Sequence, residues 1–194
     1  MNKVIKAING FEFEKLKLID SYIIRNFNIK DNRGSFEKCF EKSIYLEGGI
    51  PFNISEIFCS VSDKNVIRGI HFQTNNPQAK LVTVLSGSVM DYIVDLRPTS
   101  KTFKQWISVE LSADNCKALY VPRGFGHGFC SMMDNTTMLY MCDGVYDKET
   151  DTGIRYDDLD LGIKWPELEN EIHSERDLKL MSFNEYILNP IELG

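Results

Sequence analysis

NVIRGIHF (65–72), KLVTVLSG (80–87), SVMDYIVDL (88–96), KQWISVEL (104–111), KALYVP (117–122), HGFCSM (127–132) and TTMLYMC (136–142) follow one another through the middle of the chain. Each run is short and rich in β-branched and aromatic residues. Between them stand turn clusters such as TNNPQ (74–78), RPTS (97–100), SADN (112–115) and RGFG (123–126). No helical pattern separates the runs, so a parallel βαβ sheet is excluded and an antiparallel sandwich or barrel is expected, of jelly-roll architecture. Upstream, DNRG (31–34) is a turn signal, and Phe36, Cys39, Phe40 and Ile44 recur at helical spacing, which predicts a short helix over 36–44 beside the sheet. Downstream of Trp165-Pro166 the strand pattern stops. There SFNE (182–185) has the form of a capping box opening a terminal helix, with the tail packed outside the barrel. The expected fold is mainly β, one domain over residues 1–194, with a few short flanking helices.

Composition supports this frame. The 194 residues are 43% hydrophobic and 26% charged, which fits an ordinary globular domain and not a disordered, collagenous or disulfide-built one. At this length roughly 70% of the unfolded chain's surface can be buried, so neither metal nor disulfide is needed for folding. A net charge of −6 argues against coating a nucleic acid, although a few local cations could still hold an anionic small molecule. The five cysteines (Cys39, Cys59, Cys116, Cys130, Cys142) form no Cys-x-x-Cys pair, so reduced, packed thiols are expected. No apolar stretch approaches the ~18 residues of a membrane span, and charges interrupt the first twenty residues. A cytoplasmic protein, not engaged with membrane, is the expectation.

Of three histidines, two sit among glycines, in RGIHFQ (68–73) and PRGFGHGF (122–129). Strand alternation places Arg68 and His71 on opposite faces unless Gly69 bends the run. A metal site would need His71 and a second histidine joined by Gln78 or Glu110, a poor match to the usual His-x-His pair with Glu, so no metal and no cofactor is expected. Acid–base chemistry fits better, because an imidazole titrates near neutrality and a carboxylate can fix its tautomer. Asp91, Asp95 and Asp177 are all candidates for that carboxylate. Tyr140 is a phenol embedded in an apolar run.

Taken in order, RGIHFQ (68–73), PQAKLVTVLSGSV (77–89), VDLRPTSKTFKQWISVELSADN (94–115), LYVPRGFGHGF (119–129), LYMC (139–142) and GIRYDDLDLGIKWP (153–166) resemble the dTDP-4-dehydrorhamnose 3,5-epimerase family over about residues 20–180. The resemblance implies a cupin-type jelly-roll homodimer, free of metal, acting on a nucleoside-diphosphate 4-keto-6-deoxy sugar. C3 and C5 flank the C4 ketone, so each of their protons is acidified by delocalisation into an enolate. His71 matches the family's base, Asp177 the carboxylate that orients it, Tyr140 the acid on the opposite face and Lys80 the lysine at the C4 oxyanion. Arg68 and His127 match residues near the sugar and pyrophosphate; Arg33, Asp151 and Arg176 match positions around the nucleotide, and Tyr146 lies in the aromatic wall.

The departures gather at the nucleotide end. Where the family reads Gln-Asp-Asn-x-Ser, with amides that reach the thymidine, this chain has EIFCS (56–60), so Glu56 and Phe58 replace two amides. Lys38 stands for a usual Glu, and Arg176 for a usual Lys. A site built around one base edge rejects bases that leave its groups unpaired, which keeps CDP- and GDP-linked sugars as alternatives, with inversion at C3, C5 or both. The competing classes are a metal-dependent cupin and a non-catalytic carbohydrate-binding jelly roll.

Overall fold

The computed structural model describes residues 5–190. In chain order the strands are β1 (Ile5–Ile8), β2 (Phe11–Lys15), β3 (Tyr22–Arg25), β4 (Phe27–Asp31), β5 (Gly34–Lys38), β6 (Glu56–Ser62), β7 (Ile67–Gln73), β8 (Lys80–Ser86), β9 (Ser88–Asp95), β10 (Trp106–Ser112), β11 (Lys117–Val121), β12 (Phe125–Ser131), β13 (Thr136–Cys142) and β14 (Asp151–Gly153). Two α-helices, α1 (Lys42–Glu47) and α2 (Phe183–Leu188), and a 3₁₀ turn at Asp177–Lys179 flank them among the described residues. One sheet runs β1-β2-β3-β11-β8-β13-β6 and the second β10-β9-β12-β7-β14, while β4 and β5 form a separate hairpin. Every strand pair is antiparallel, and all seven runs read from the sequence are strands, β7 to β13.

The alternation of side chains builds the layers. Val82 and Val84 on β8 and Met138 and Tyr140 on β13 meet Val89 and Ile93 on β9 and Phe125 and Phe129 on β12 in one core between the sheets. This is the jelly-roll sandwich. The opposite faces are covered too, which is why the strands read as nearly continuous apolar runs. Leu81 and Met141 turn outward beneath Tyr45 of α1, and Tyr92 and Val94 turn outward beneath Phe183 and Tyr186 of α2.

α1 has only six residues and no side-chain cap, so packing holds it. Its Tyr45 ring lies 5.4 Å from Phe13 and 4.8 Å from Phe40. α2 carries the expected capping box: Ser182 Oγ accepts the Glu185 N–H at 3.2 Å, and the Ser182 N–H donates to Glu185 Oε2 at 2.7 Å. Among the described residues no helix is long and apolar enough to cross a membrane.

The helix expected over 36–44 is corrected. Residues 34–38 are strand β5, and the helix begins at Lys42. DNRG does turn, but it closes the β4–β5 hairpin, in which Phe36 pairs with Ile29. Phe36 is exposed, so its helical spacing to Phe40 and Ile44 does not mark one buried face.

A second correction concerns Arg68 and His71, which line the same cleft. Between the pairs His127↔His71 and Phe129↔Arg68, β12 advances by two residues while β7 advances by three. The extra residue is a β-bulge, and it reverses the alternation beyond it. Gly69 makes the bulge possible. Its φ of +125° is left-handed, and a Cβ there would sit 2.5 Å from the Cα of Gly128. Gly69→Ala should therefore destabilise the fold by about 2–4 kcal/mol, combining backbone strain with overpacking. Urea unfolding measures this, and an unchanged midpoint would contradict the packing argument.

Candidate active site

Inward-facing side chains at one end of the sandwich converge on a cleft of about 230 Å³. β7 contributes Arg68, His71 and Gln73; β12 contributes His127, Gly128 and Phe129; β8 and β13 contribute Lys80 and Tyr140; and β6 contributes Phe58 and Ser60. Gln78, Tyr146 and Asp151 complete the lining. A larger hollow, about 1110 Å³, lies elsewhere, but its Arg97 and Arg123 are already paired with carboxylates and it contains no histidine.

His71 donates from Nε2 to Asp177 Oδ1 at 2.8 Å. Asp177 arrives from the C-terminal segment, 106 residues later, and is 4% exposed. Its second oxygen accepts the Gly69 N–H at 3.3 Å, so the bulge that turns His71 inward also helps seat its partner. Burial pushes the Asp177 carboxyl up, but the bonds from His71 and Gly69 outweigh it and hold the group below the usual carboxylate range. A carboxylate only accepts, so Nε2 carries the hydrogen and Nδ1 presents a lone pair. His71 is thereby set up as a base. Of the three carboxylates left open by the sequence, Asp91 instead meets His127, and Asp95 ties Arg97, Ser100 and Thr102 together in a turn.

Tyr140 stands on the opposite sheet, 7% exposed. Its ring stacks on Phe58 at 4.6 Å with 11° between planes, and its hydroxyl meets Ser60 Oγ at 3.4 Å. Burial drives its phenol upward, against the Ser60 hydrogen bond, so it stays protonated at neutral pH. Lys80 shifts the other way, because burial lowers an ammonium, though the acidic neighbours Cys142, Asp151, Asp91 and Glu56 oppose that. His71 and Tyr140 therefore line one cleft from two walls, with Lys80 on β8 beside the strand that carries Tyr140.

At the mouth, Arg176 pairs with Asp151 at 2.7 Å, and Tyr146 donates its hydroxyl to the same carboxylate at 3.2 Å. The Tyr146 N–H donates to Glu56 at 2.7 Å, which ties β6 to the loop before β14. Arg68 is held by Ser62 Oγ at 3.1 Å. Arg33 is not in this group. It sits on the β4–β5 turn and bonds Asp31 at 3.1 Å, outside the cleft. Gln78 lines the cleft but donates to the Gly144 carbonyl, and Glu110 on β10 does not reach the cleft. Among the described residues no three His, Cys, Asp or Glu side chains are grouped to hold a metal ion. Gln73 and Phe129 were not singled out from the sequence. Strand alternation from His71 and His127 was the available signal.

The family model described as dTDP-4-dehydrorhamnose 3,5-epimerase matches residues 15–185. The dTDP-4-dehydrorhamnose 3,5-epimerase of Methanothermobacter thermautotrophicus is 38% identical over 94% of this chain and 98% of its own length. The crystal structure of a dTDP-6-deoxy-D-glucose-3,5-epimerase from Legionella pneumophila, in complex with dTDP-4-keto-L-rhamnose, superposes with a TM-score of 0.87 at 35% identity, covering 90% of this chain and 93% of that one. A 4-keto-6-deoxy sugar epimerase from the novobiocin gene cluster of Streptomyces spheroides gives 0.89 at 31% identity, with coverage of 97% and 95%. Fold, length and sequence agree over nearly the whole chain, which is thus an isomerase and belongs to the dTDP-4-dehydrorhamnose 3,5-epimerase family.

Proposed function

We propose that this protein inverts C3, C5 or both in a nucleoside-diphosphate 4-keto-6-deoxy sugar by acid–base chemistry. The observation that carries the reading is His71, backed by Asp177 on one wall, facing the same cleft as the protonated Tyr140 on the other. The C–H bond beside the ketone breaks, its proton passes to His71 Nδ1, and its electron pair becomes the enolate on C4–O. The Tyr140 hydroxyl then returns a proton to the opposite face of the ring, and the centre is inverted. Lys80 offsets the charge on the C4 oxygen, and Arg68, His127 and Arg176 hold the sugar and diphosphate in this reading.

The relatives named above favour a dTDP-linked substrate. By the family resemblance, Glu56 and Phe58 stand where amides would reach the nucleobase, so CDP- and GDP-linked sugars belong in the same test. Proton NMR in D₂O with the three nucleotide sugars should show loss of the C3 signal, the C5 signal or both, with one nucleotide preferred. No exchange with any of them would overturn the reading and leave a binding module.

The active form in this reading is a homodimer. Supporting it, Ile57 and Val61 are exposed on one face of β6, a sheet edge, and Ile29 and Phe36 are exposed on the β4–β5 hairpin, apolar side chains suited to a second copy. Arg33, on that hairpin, would then serve the nucleotide across the dimer. The five unpaired cysteines fit a cytoplasmic, reducing setting; burial pushes Cys39, Cys130 and Cys142 up to about 11, which keeps them as unreactive thiols.

The opposed effects of burial on Lys80 and Tyr140 predict the alkaline limb of kcat. Activity needs the ammonium, so it falls as pH rises through the depressed Lys80 value, while Tyr140 remains protonated beyond it. Lys80→Arg should lower kcat yet abolish that limb, because a guanidinium does not deprotonate in the range. An unchanged limb in the variant would assign it to another group.

A further inference from the structure

The cleft holds a second histidine–carboxylate pair. Asp91 lies on the inner face of β9 between Val89 and Ile93 and is wholly inaccessible. Its two oxygens share the Nε2 hydrogen of His127, at 3.0 and 2.9 Å. His127 lines the cleft, and its Nδ1 makes no hydrogen bond to any described residue. The bonding repeats that of His71 with Asp177, and the two histidines are register partners on β7 and β12. One difference separates them. Asp177 also accepts a backbone N–H, whereas Asp91 has no donor except His127.

That difference decides the charge. A wholly buried carboxylate without a cation in contact is strongly unfavourable. The ionisable groups that line the cleft with His127 are Arg68 and His71 from β7, Lys80 from β8, Tyr140 from β13, Tyr146, and Asp151 from β14; Asp91, behind it on β9, is the one bonded to it among the described residues. With Nε2–H committed to Asp91, a neutral ring would offer the cleft a lone pair at Nδ1, and an imidazolium would offer a donor. Both Asp91 oxygens lie within 3.0 Å of the one Nε2, the two-oxygen contact of an ionised carboxylate with a charged donor, and with Asp91 ionised it is the imidazolium that leaves the buried pair electrically neutral. Burial pushes the Asp91 carboxyl up, and the charge and hydrogen bond of His127, with the charge of Lys80, offset only part of that rise.

We propose that Asp91 is a positioning residue that keeps His127 as an imidazolium with its Nδ1–H turned into the cleft, where it is a second donor, beside Lys80, for the oxyanion forming on the bound ketone. This rests on the epimerase reading and deepens it: two like-built dyads on neighbouring strands serve opposite roles, a base at His71 and a charge donor at His127.

Side-chain ¹H–¹⁵N correlation spectra test the charge directly, since the chain has only three histidines to assign. At neutral pH the wild type should show both His127 nitrogens protonated. In Asp91→Asn the amide oxygen still accepts Nε2–H but carries no charge, so His127 should turn neutral. In the same variant kcat for C–H exchange should fall on the order of 10²-fold while KM stays near the wild-type value. A neutral His127 in the wild type overturns the proposal, as does an Asp91→Asn variant with unchanged kcat or with a raised KM alone. Absence of exchange in the wild type would instead overturn the epimerase reading and with it the oxyanion role, and the nitrogen spectrum would still decide the Asp91–His127 charge.

Discussion

His71→Ala should lose exchange of the ring C–H protons with solvent by about 10³–10⁴-fold, the scale of a positioned general base. The reason is geometric. Among the groups lining the cleft, His71 combines a fixed tautomer, a lone pair not engaged by any described residue and a buried carboxylate behind it. The variant should stay folded, because His71 is a cleft side chain with 25% of its surface exposed and Asp177 keeps the Gly69 N–H. Loss of signal at C3 and C5 in D₂O, followed by NMR with circular dichroism as the folding control, measures the effect. Near-wild-type exchange in a folded His71→Ala would remove the base from the mechanism.

Tyr140→Phe should separate two steps that His71→Ala cannot. Product of inverted configuration should fall by about 10²–10³-fold, whereas solvent exchange should fall much less, since the proton can still leave to His71 and return on the same face. The substitution is structurally mild. It keeps the ring stacked on Phe58 and removes a hydroxyl whose partner, Ser60 Oγ, is 3.4 Å away. Burial favours the protonated phenol, the form that an acid must have before it acts. Equal losses of exchange and inversion would mean that Tyr140 acts before the enolate forms and would reassign it. The two variants together report on the two walls of the cleft independently.

The middle of the chain was legible because its chemistry is local. Each of β7 to β13 is a short run of strand-forming residues closed by Gly, Pro, Asn or Ser, and that pattern requires no knowledge of distant contacts. β6 was not legible as a strand, since EIFCSVS mixes polar and apolar residues on a sheet edge that is only partly covered. The hairpin β4–β5 imitated a helix for a related reason. Its Phe36 faces away from the core, so hydrophobic spacing lost its meaning there.

The residues of the candidate site were also legible one at a time, through motif resemblance, but their pairing was not. Sequence order and composition determined an antiparallel β sandwich and supplied the imidazoles, the phenol and the carboxylates. Only the tertiary structure decided which carboxylate serves which imidazole: Asp177 crosses from the far end of the chain to His71, and Asp91 meets His127 from the neighbouring strand β9. It also decided that Arg68 and His71 share a cleft, because one extra residue at Gly69 overrides the period of two. Alternation and turn chemistry act between near neighbours and can be read along the chain, whereas burial, register and charge compensation are set by groups that folding alone brings together.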